Sequence, residues 1–544
     1  MSIYFKHSVL PLSKRYARLV VLIPLLLSGL THLVNPAGFP SVHNDEGHYL
    51  RRSLIFLEDH TPQEPSYRYD HPYFGQIFLS SLFWLIGYPE SITENISSID
   101  AALTELLYFV PRTIMGILAL VDTFLVYKIS EYLYDRRIAL IASLIFAVTP
   151  MTWFLNRILL DNLFLPFLLT SILFASMYAR TNPNEYFARV RHKKMLTIIL
   201  SGIFLGLSIF TKLPAFTMIP AVGFLVLLNV RNSNDSKNNA PTRFLKIFVI
   251  WIIPVIAVPL IWPIHATYTD EFDTWLKDLI WQVQRDRPLT RALETDFKVD
   301  PILFIIGIAG LAYSALKKDF FLITWFVTPL LFFYFLGYVA TFHLILFLPI
   351  FSIAAARLLS GLRYPAVSPR IQKISLIARV CTVCLFGLAS TLTLIYTIDN
   401  VNSLYFEALA FVTNQIIEKD GDGNPYQNNN ILTIVGNQRY FWIPKHVFDE
   451  DQHQYVSYFS RSKPSLNEKV IIILDRDMER FISHTSGNDT RKQELLNRIN
   501  KTQTTAIFEL SNDQKHLAMI DKARYPFTSM SLNNEGTRVQ VRTN

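Results

Sequence analysis

The stretch H-N-D-E-G-H-Y (residues 43–49) and the stretch Y-D-H-P-Y (residues 69–73) are the fixed points of a polar, aromatic-rich segment that ends at Pro89. This segment separates two apolar parts of the chain. The adjacent carboxylates Asp45 and Glu46 follow shortly after the first apolar block. Carboxylates are costly beside a hydrocarbon phase unless they are paired or take part in chemistry. The segment therefore indicates both a membrane face and a candidate active site.

The composition is that of a polytopic membrane protein. Of the 544 residues, 51% are hydrophobic, 14% are aromatic and 17% are charged. The apolar residues form blocks of about 20, the length that crosses a bilayer. The net charge of +8 is explained by basic residues in cytoplasmic loops, so no nucleic-acid partner is expected. Cys381 and Cys384 lie inside one apolar block, which argues against a disulfide framework, a zinc site or a redox motif.

Eleven apolar blocks are predicted to span the membrane. The first follows basic residues, as in a signal peptide, but no small-x-small cleavage site comes after it, so it is interpreted as a retained span. The predicted spans are 19–34, 104–128, 138–155, 161–179, 195–212, 214–230, 244–264, 301–316, 320–340, 344–360 and 374–397.

Charge asymmetry predicts the orientation of these spans. Cytoplasmic loops carry an excess of Lys and Arg, so the basic connections are predicted to lie inside. An odd number of spans then puts the N-terminus in the cytoplasm and the C-terminus outside. The basic connections are 128–137, 180–194, 231–246, 317–318 and 361–373.

The outer face is predicted to hold most of the polar chain. In the first outer loop, residues 77–86 are apolar but too short to cross, which predicts an interfacial or re-entrant helix. Two tight connections, 156–162 and 212–214, lie on the same face. The long outer segments are 35–103, 265–300 and 398–544.

The chain is predicted to consist of two domains. Residues 1–399 form the transmembrane domain, whose first outer loop carries the candidate site. Residues 400–544 form a small soluble α/β domain outside the membrane, because short β-prone runs alternate there with polar helical patterns. The runs are 431–435, 469–474 and 505–510, and 491–500 is one of the helical patterns.

The carboxylates share the outer face with three basic residues, Arg112, Arg157 and Lys212. Clustered cations at this depth are costly unless they meet an anion, and a lipid-linked phosphate is an anion found there. A carboxylate could take a proton from an incoming hydroxyl while the cations stabilise a leaving phosphate. This is the chemistry of sugar transfer from a polyprenyl phosphate.

Each of these residues also has a structural interpretation. The cations could extend to the lipid headgroups, and Asp45 with Glu46 could cap a helix that begins near Gly47. Residues 71–72 could form only a turn, and His48 and His343 are individually more typical of structural roles. No spacing predicts a metal site. No cofactor is assigned, and a divalent cation is left open although nothing in the sequence indicates one.

Four motifs together resemble the GT-C glycosyltransferases of family 39, which include protein O-mannosyltransferases, the lipid A aminoarabinose transferase and RgtA/B/C/D-like enzymes. The resemblance covers roughly residues 10–360. The motifs are D-E-x-x-Y at 45–49, the His-Pro pair at 71–72 before an interfacial helix, R-x-x-x-D at 157–161 and G-x-x-x-G-L-x-x-x-T-K at 202–212.

The resemblance implies roles for individual residues. Asp45 would be the catalytic base or the carboxylate that positions the acceptor, and Glu46 would be its partner in the acidic pair. Lys212 would contact the lipid phosphate. The other residues implied at the donor site are Arg157, Asp161, His71 and Tyr49, with Asp70, Arg112 and His343 as further candidates.

The chain departs from the family pattern at two places, which leaves donor and acceptor open. Tyr73 stands where a second proline is common, and Phe342-His343 stands where a tyrosine is found near the outer end of the tenth span.

The sequence thus predicts a multi-pass cell-membrane enzyme. It would move mannose or a similar hexose or pentose from a polyprenyl-phosphate or dolichyl-phosphate donor to a protein or lipid acceptor, among membrane lipids. One alternative is an oligosaccharyltransferase, disfavoured because the tail has no W-W-D-Y-G motif. A second alternative is a transporter or flippase of lipid-linked sugar, which would be expected to have several ionisable groups near the middle of the membrane and two related halves. Only Asp122 lies well inside a predicted span, and no internal repeat is seen. A third alternative is a binding or scaffold protein whose soluble tail carries the function.

Overall fold

The structure is a computed structural model, and it describes most of the membrane part and a portion of the tail. The described residues are 19–38, 40, 42–61, 69–93, 98–180, 188–231, 240–285, 287–362, 368–396, 402–417, 432–437, 440–446, 454–457, 469–485, 487, 489–509 and 538–543.

Helices dominate the chain up to residue 396, because its apolar blocks leave no polar partners for the backbone other than its own groups. The helices are α1 Leu22–His32, α2 Asn44–Asp59, α3 Phe74–Ile86, α4 Glu90–Thr93, α5 Ala101–Leu133, α6 Arg136–Val148, α7 Leu160–Arg180, α8 Ala188–Thr211, α9 Ile219–Arg231, α10 Ala240–Tyr268, α11 Phe272–Val283, α12 Leu289–Val299, α13 Pro301–Leu316, α14 Phe320–Leu336, α15 Leu348–Gly361 and α16 Pro369–Tyr396.

Among the described residues, six helices are long and apolar enough to cross a membrane, or seven if α12 and α13, which meet at 114°, form one broken span. Each of the eleven predicted spans overlaps an apolar helix. Several of these helices are shorter than a bilayer requires, among them α1 and α14. A membrane protein with several apolar spans is therefore supported, and the number eleven is not confirmed.

Three 3₁₀ segments precede helices α7, α9 and α15. A 3₁₀ segment is a tight connector with a larger rise per residue than an α-helix. The first two segments lie in or beside the tight connections predicted at 156–162 and 212–214. The bounds of the three segments are Pro150–Asn156, Leu213–Met218 and Thr341–Phe347.

The glycine motif of α8 has a packing role. A Cβ atom on Gly202 would lie 2.4 Å from the carbonyl oxygen of Trp251, and one on Gly206 would lie 2.7 Å from that of Pro254. Only glycine leaves room for the two backbones at this distance, as at other close helix crossings in membranes. Helices α8 and α10 are therefore in direct backbone contact.

The apolar run at 77–86 is part of α3, which confirms the helix expected there. Leu79 and Phe83 are buried, whereas Trp84, Leu85 and Ile86 are exposed. Gly87 ends the helix in the left-handed conformation, with φ 63°, which glycine adopts without steric cost. A short helix with one apolar face exposed is typical of an interfacial element.

The described tail contains a five-stranded mixed sheet and four helices, which confirms the predicted small α/β unit. The strand order is β2-β1-β3-β5-β4, with β1 parallel to β2 and β3, and β5 antiparallel to β3 and β4. The strands are β1 Leu432–Gly436, β2 Gln454–Ser457, β3 Lys469–Leu474, β4 Gln503–Glu509 and β5 Arg538–Thr543, and the helices are α17 Ser403–Ile417, α18 Trp442–His446, α19 Arg476–His484 and α20 Thr490–Asn500.

The tail shares a hydrophobic core with the membrane part. Side chains of α17, α18 and the sheet pack in one buried cluster with side chains of α2, α3 and α5. The indole Nε1 of Trp442 donates to Tyr108 Oη of α5 at 2.8 Å. The domain boundary at residue 400 stays a prediction, but the two parts pack as neighbours with a continuous apolar contact.

The orientation of the chain, which follows from the charge asymmetry, can be tested with single cysteines. In a background with Cys381 and Cys384 replaced by Ala, Ser483→Cys in α19 should react with a membrane-impermeant thiol reagent in intact cells. Ser236→Cys, in a predicted cytoplasmic connection, should react only after the membrane is opened. The measurement is gel-shift labelling, and the reverse pattern would put Asp45 on the cytoplasmic side.

Candidate functional site

The first turn of α2 is fixed by a capping box. His43 Nδ1 accepts a hydrogen bond from the Asp45 backbone N–H at 3.2 Å, and Glu46 Oε1 accepts one from the His43 backbone N–H at 2.7 Å. Carboxylates are also favoured at this end of a helix by its dipole. Helix capping, the structural alternative for the acidic pair, is thus realised by Glu46.

Glu46 is completely buried and bound on both oxygens. Arg112 donates to Glu46 Oε2 from Nε at 2.9 Å and to Oε1 from Nη2 at 2.8 Å. The Ile158 backbone N–H donates to Oε2 at 3.1 Å. Burial opposes ionisation of Glu46, but Arg112 outweighs it, with help from Arg157, and holds the pKa of the carboxyl below its ordinary value.

Arg112 is also committed to this internal network. Its Nη1 donates to the carbonyl oxygens of Pro36 at 3.0 Å and of Pro40 at 2.6 Å. The side chain has no exposed surface. Glu46 and Arg112 therefore connect the first outer loop, α2, α5 and the connection at 157–158. They form the buried support of the candidate site.

Asp45 is the accessible member of the acidic pair. One third of its side chain is exposed, and Oδ2 lies 3.7 Å from His43 Nδ1. Burial opposes its ionisation, but His43, His48, Lys212 and His71 together hold the pKa of Asp45 below its ordinary value. The carboxylate that faces outward is therefore ionised at neutral pH.

Two histidines beside Asp45 are neutral near pH 7. Burial, with Arg52 and Arg51 nearby, lowers the pKa of His48 to about 3. Burial also lowers the pKa of His71 to about 4, although Asp70 opposes this. Near pH 7 the imidazoles of His48 and His71 therefore supply hydrogen-bonding nitrogens, and Lys212 supplies an ammonium group near Asp45.

Lys212 and Asp161 form a buried ion pair between Nζ and Oδ2. The ammonium also lies 4.8 Å from the centre of the Phe342 ring. The Phe342 ring also packs edge-to-face with the His43 ring, with the ring centres 5.6 Å apart. The 3₁₀ segments that begin at 213 and 341 thus bring Lys212 and Phe342 to the first turn of α2.

The Y-D-H-P-Y stretch, residues 69–73, forms another part of the candidate site, beside α2. Arg52 Nη1 donates to Asp70 Oδ1 at 2.8 Å, and the ring centres of Tyr49 and His71 are 6.3 Å apart. Burial and the nearby carboxylates, first Asp45, raise the pKa of Tyr49 well above its ordinary value, so its phenol stays protonated.

The predicted second outer loop, residues 265–300, holds the Y-D-H-P-Y stretch in place. Tyr69 Oη donates to Glu271 Oε2 at 2.8 Å, and the Tyr69 backbone N–H donates to Asp278 Oδ2 at 3.1 Å. The contact explains why two loops far apart in sequence meet at one site. It was not predicted, because nothing in the sequence pairs residue 69 with residues 271 and 278.

The second outer loop also supplies two arginines. The Arg287 backbone pairs with Gly337 and Val339, through bonds of 2.9 and 2.8 Å. The Arg285 guanidinium lies 3.8 Å from the centre of the Tyr338 ring. Both arginines are close enough to act electrostatically on His343, which also faces Lys212 and His71. Among the described residues, neither Arg285 Nε nor Arg287 Nε has a hydrogen-bond partner.

The structure brings the sequence-predicted residues into two layers. The upper group lies around Asp45 and consists of Asp45, Tyr49, Asp70, His71, Asp161, Lys212 and His343. The lower group consists of Glu46, Arg112 and Arg157. Sequence reasoning missed Arg52, Arg285 and Arg287. Basic residues on an outer loop run against the charge bias of membrane proteins, and this signal could have found the last two.

Within the described part of the chain, no group of three or more His, Cys, Asp or Glu side chains is arranged to hold a metal ion. The chemistry available at the site is proton acceptance by Asp45, hydrogen bonding by neutral imidazoles, and binding of an anion by cations on two outer loops.

Comparisons with known proteins bear on the fold. Residues 63–274 match the family model described as dolichyl-phosphate-mannose-protein mannosyltransferase. The apo structure of ArnT from Cupriavidus metallidurans aligns over 98% of both chains, with a TM-score of 0.55 and 12% identity. The chain has the GT-C fold. The GT-C resemblance drawn from the sequence is thereby confirmed.

Two further GT-C structures are similar. ArnT of Cupriavidus metallidurans bound to undecaprenyl phosphate gives a TM-score of 0.53 at 13% identity, over 98% of each chain. The apo oligosaccharyltransferase of Archaeoglobus fulgidus gives a TM-score of 0.56 at 14% identity, over 87% of this chain and 71% of the other. A comparison with curated protein sequences finds no match.

The buried pair makes a stability prediction for this GT-C protein. Glu46→Gln leaves the Arg112 charge buried without a counter-charge, which costs about 3–5 kcal/mol. The midpoint of thermal unfolding in detergent should fall by many degrees. Acid should remove the same stabilisation as the pH falls through the lowered pKa of folded Glu46.

A matched control is Glu294→Gln, because Glu294 pairs with Lys298 on the surface, where the two side chains are 61% and 52% exposed. Exposed pairs contribute little to stability, so this midpoint should not change. Equal midpoints for the two variants would contradict the supporting role of Glu46.

Proposed function

We propose that the chain is a membrane glycosyltransferase that moves a sugar from a polyprenyl-phosphate donor to a hydroxyl group of an acceptor at the outer face. The observation that supports this most is Asp45: an accessible, ionised carboxylate beside a fixed cation, held above a buried ion pair. The family model over 63–274 and the undecaprenyl phosphate bound to one structural neighbour support a lipid-phosphate donor.

In the proposed reaction, the acceptor hydroxyl oxygen attacks the anomeric carbon of the donor sugar. The bond from that carbon to the phosphate oxygen breaks, and the polyprenyl phosphate leaves with the electron pair. Asp45 accepts the hydroxyl proton as the new glycosidic bond forms. Cations near the phosphate stabilise the charge that develops on the leaving group.

The residues proposed for the donor phosphate are Lys212, Arg285 and Arg287. Lys212 lies beside Asp45, and the two arginines approach from the second outer loop. Arg157 interacts with Glu46 below them. Arg112 is used entirely by Glu46 and the loop carbonyls, which supports a role as a scaffold for the acidic pair.

Mannose is the proposed sugar, since the family model is that of mannosyltransferases; a similar hexose or pentose is the alternative. A protein or a lipid is proposed as the acceptor. The test incubates the purified protein with radiolabelled polyprenyl-phosphate mannose, glucose or arabinose and with membrane acceptors. Label should leave the lipid and appear on a protein or lipid. Transport of the donor across a vesicle without a labelled product would instead indicate a flippase.

The role of Lys212 can be separated from that of its partner. Lys212→Met keeps the aliphatic stem and removes the charge, so donor binding should weaken by about 1.5–3 kcal/mol, the usual contribution of a charged hydrogen bond. Asp161→Asn removes the ion-pair partner and leaves the ammonium available, so donor binding should be retained. The measurement is direct binding of labelled donor. If both variants lose binding equally, Lys212 acts only through the ion pair with Asp161.

The role of Asp45 is tested by Asp45→Asn, which keeps size and shape but cannot accept the proton. Turnover should fall about 10²–10⁴-fold, the usual contribution of general acid-base catalysis, with little change in donor affinity. Because the pKa of Asp45 is lowered, turnover of the parent protein should persist below the ordinary titration range of an aspartate.

Asp59→Asn is the control, since Asp59 is exposed at the other end of the same helix, and its turnover should equal that of the parent. Transfer at the parental rate by Asp45→Asn would mean that this carboxylate does not accept the proton. If Glu46→Gln, in protein that is still folded, lowers turnover more than Asp45→Asn does, the two carboxylates have the opposite assignment.

A further inference from the structure

Asn402, the residue that precedes α17 in the tail, is completely buried against the first outer loop. Its Oδ1 accepts a hydrogen bond from the Val42 backbone N–H at 2.8 Å. Its Nδ2 donates to the carbonyl oxygens of Ala37 at 2.6 Å and Pro40 at 3.0 Å. One tail side chain thus satisfies three backbone groups of the segment that leads into α2.

The same carbonyls are also bound by a side chain of the membrane part. Arg112 Nη1 of α5 donates to Pro40 O at 2.6 Å, and at a longer 3.4 Å to Ala37 O. The described residues of the loop segment at 36–42 are therefore hydrogen-bonded both by a guanidinium from a membrane helix and by an amide from the tail. Buried polar groups are costly when left unpaired. Loss of either side chain would therefore leave buried backbone groups of this segment with fewer hydrogen-bond partners.

The hydrogen-bonded segment at 36–42 ends one residue before His43, the N-cap of α2. Val42 is bound by Asn402, and the next residue, His43, accepts from the Asp45 backbone N–H and donates its own to Glu46. The direction in which Asp45 points is set by this turn. A displacement of about 1 Å in a reacting group can cost roughly 100-fold in rate.

We propose that Asn402 is a positioning residue for Asp45, so that the tail is a part of the working site and not an appended domain. This rests on the proposed function only for its effect on turnover. A second asparagine of the same helix, Asn414, makes an equivalent pair of bonds to the far end of the first outer loop. Its Oδ1 accepts from Ile99 N–H at 2.8 Å and its Nδ2 donates to Ile99 O at 2.7 Å.

The two asparagines therefore fasten both ends of the first outer loop to one helix. They are twelve residues apart, which corresponds to about 18 Å along a helix. Asn402 holds the end that carries the catalytic carboxylate, whereas Asn414 holds the end that leads into α5. This makes Asn414 a matched control with the same chemistry at a different place.

The test compares Asn402→Ala with Asn414→Ala in the full-length protein. Hydrogen-deuterium exchange of the peptide over residues 42–49 should quicken in Asn402→Ala and stay at the parental rate in Asn414→Ala. This readout does not depend on the reaction. Parental exchange in folded Asn402→Ala would overturn the proposal, whatever the enzyme transfers.

Turnover gives the second readout. In Asn402→Ala, kcat should fall about 10–100-fold while the KM for the donor stays within about threefold, because the cations that bind phosphate lie on other elements. The acidic limb of the kcat profile should move to higher pH, toward the ordinary value for an aspartate, as Asp45 loses its neighbours. Asn414→Ala should change neither.

The outcomes are distinct. Equal losses of kcat and of folded protein in both variants would reduce Asn402 to a general stabilising role and overturn the proposal. If the parent protein transfers no sugar, the proposed function fails, and the exchange experiment alone decides whether Asn402 positions Asp45.

Discussion

The buried ion pair between Glu46 and Arg112 is the interaction on which the rest of the site depends. It joins a membrane helix to the outer loop that carries the carboxylates, and removal of either partner would leave a charge without water or a counter-charge. Arg112 Nη1 also donates to the backbone carbonyls of the loop, and Glu46 also accepts from the backbone N–H of Ile158. The loop is ordered because its carbonyls complete the coordination of a buried guanidinium.

Two adjacent carboxylates acquire different tasks through their surroundings. Consecutive residues on a helix point about 100° apart, so one can face the interior while its neighbour faces the outer surface. Glu46 pairs with Arg112 and has a structural role. Asp45 lies near Lys212, and a third of its side chain is accessible. A sequence motif with two acids therefore needs no more than one of them for chemistry.

Much of the membrane part could be predicted, since the length of an apolar block is fixed by the thickness of a bilayer. The number of spans could not, because short helices such as α1 are too short for their ends to be read from composition. The gathering of Asp45, Asp161 and Lys212 was foreseen from their common face. Long-range packing leaves no local pattern in the sequence. It determines the contact of Tyr69 with Glu271, the positions of the arginines at 285 and 287, and the hydrogen bonds of Asn402.

The close crossing of α8 and α10 has a mechanical consequence. With two glycines in contact with carbonyl oxygens, the backbones of these helices meet directly, so we expect them to tilt as one body. Lys212 follows the C-terminal end of α8, and the loop that fastens Tyr69 begins at the C-terminal end of α10. A change in bilayer thickness would then rotate the ammonium and the second outer loop together, and the spacing between them would be independent of the lipid in which the protein sits.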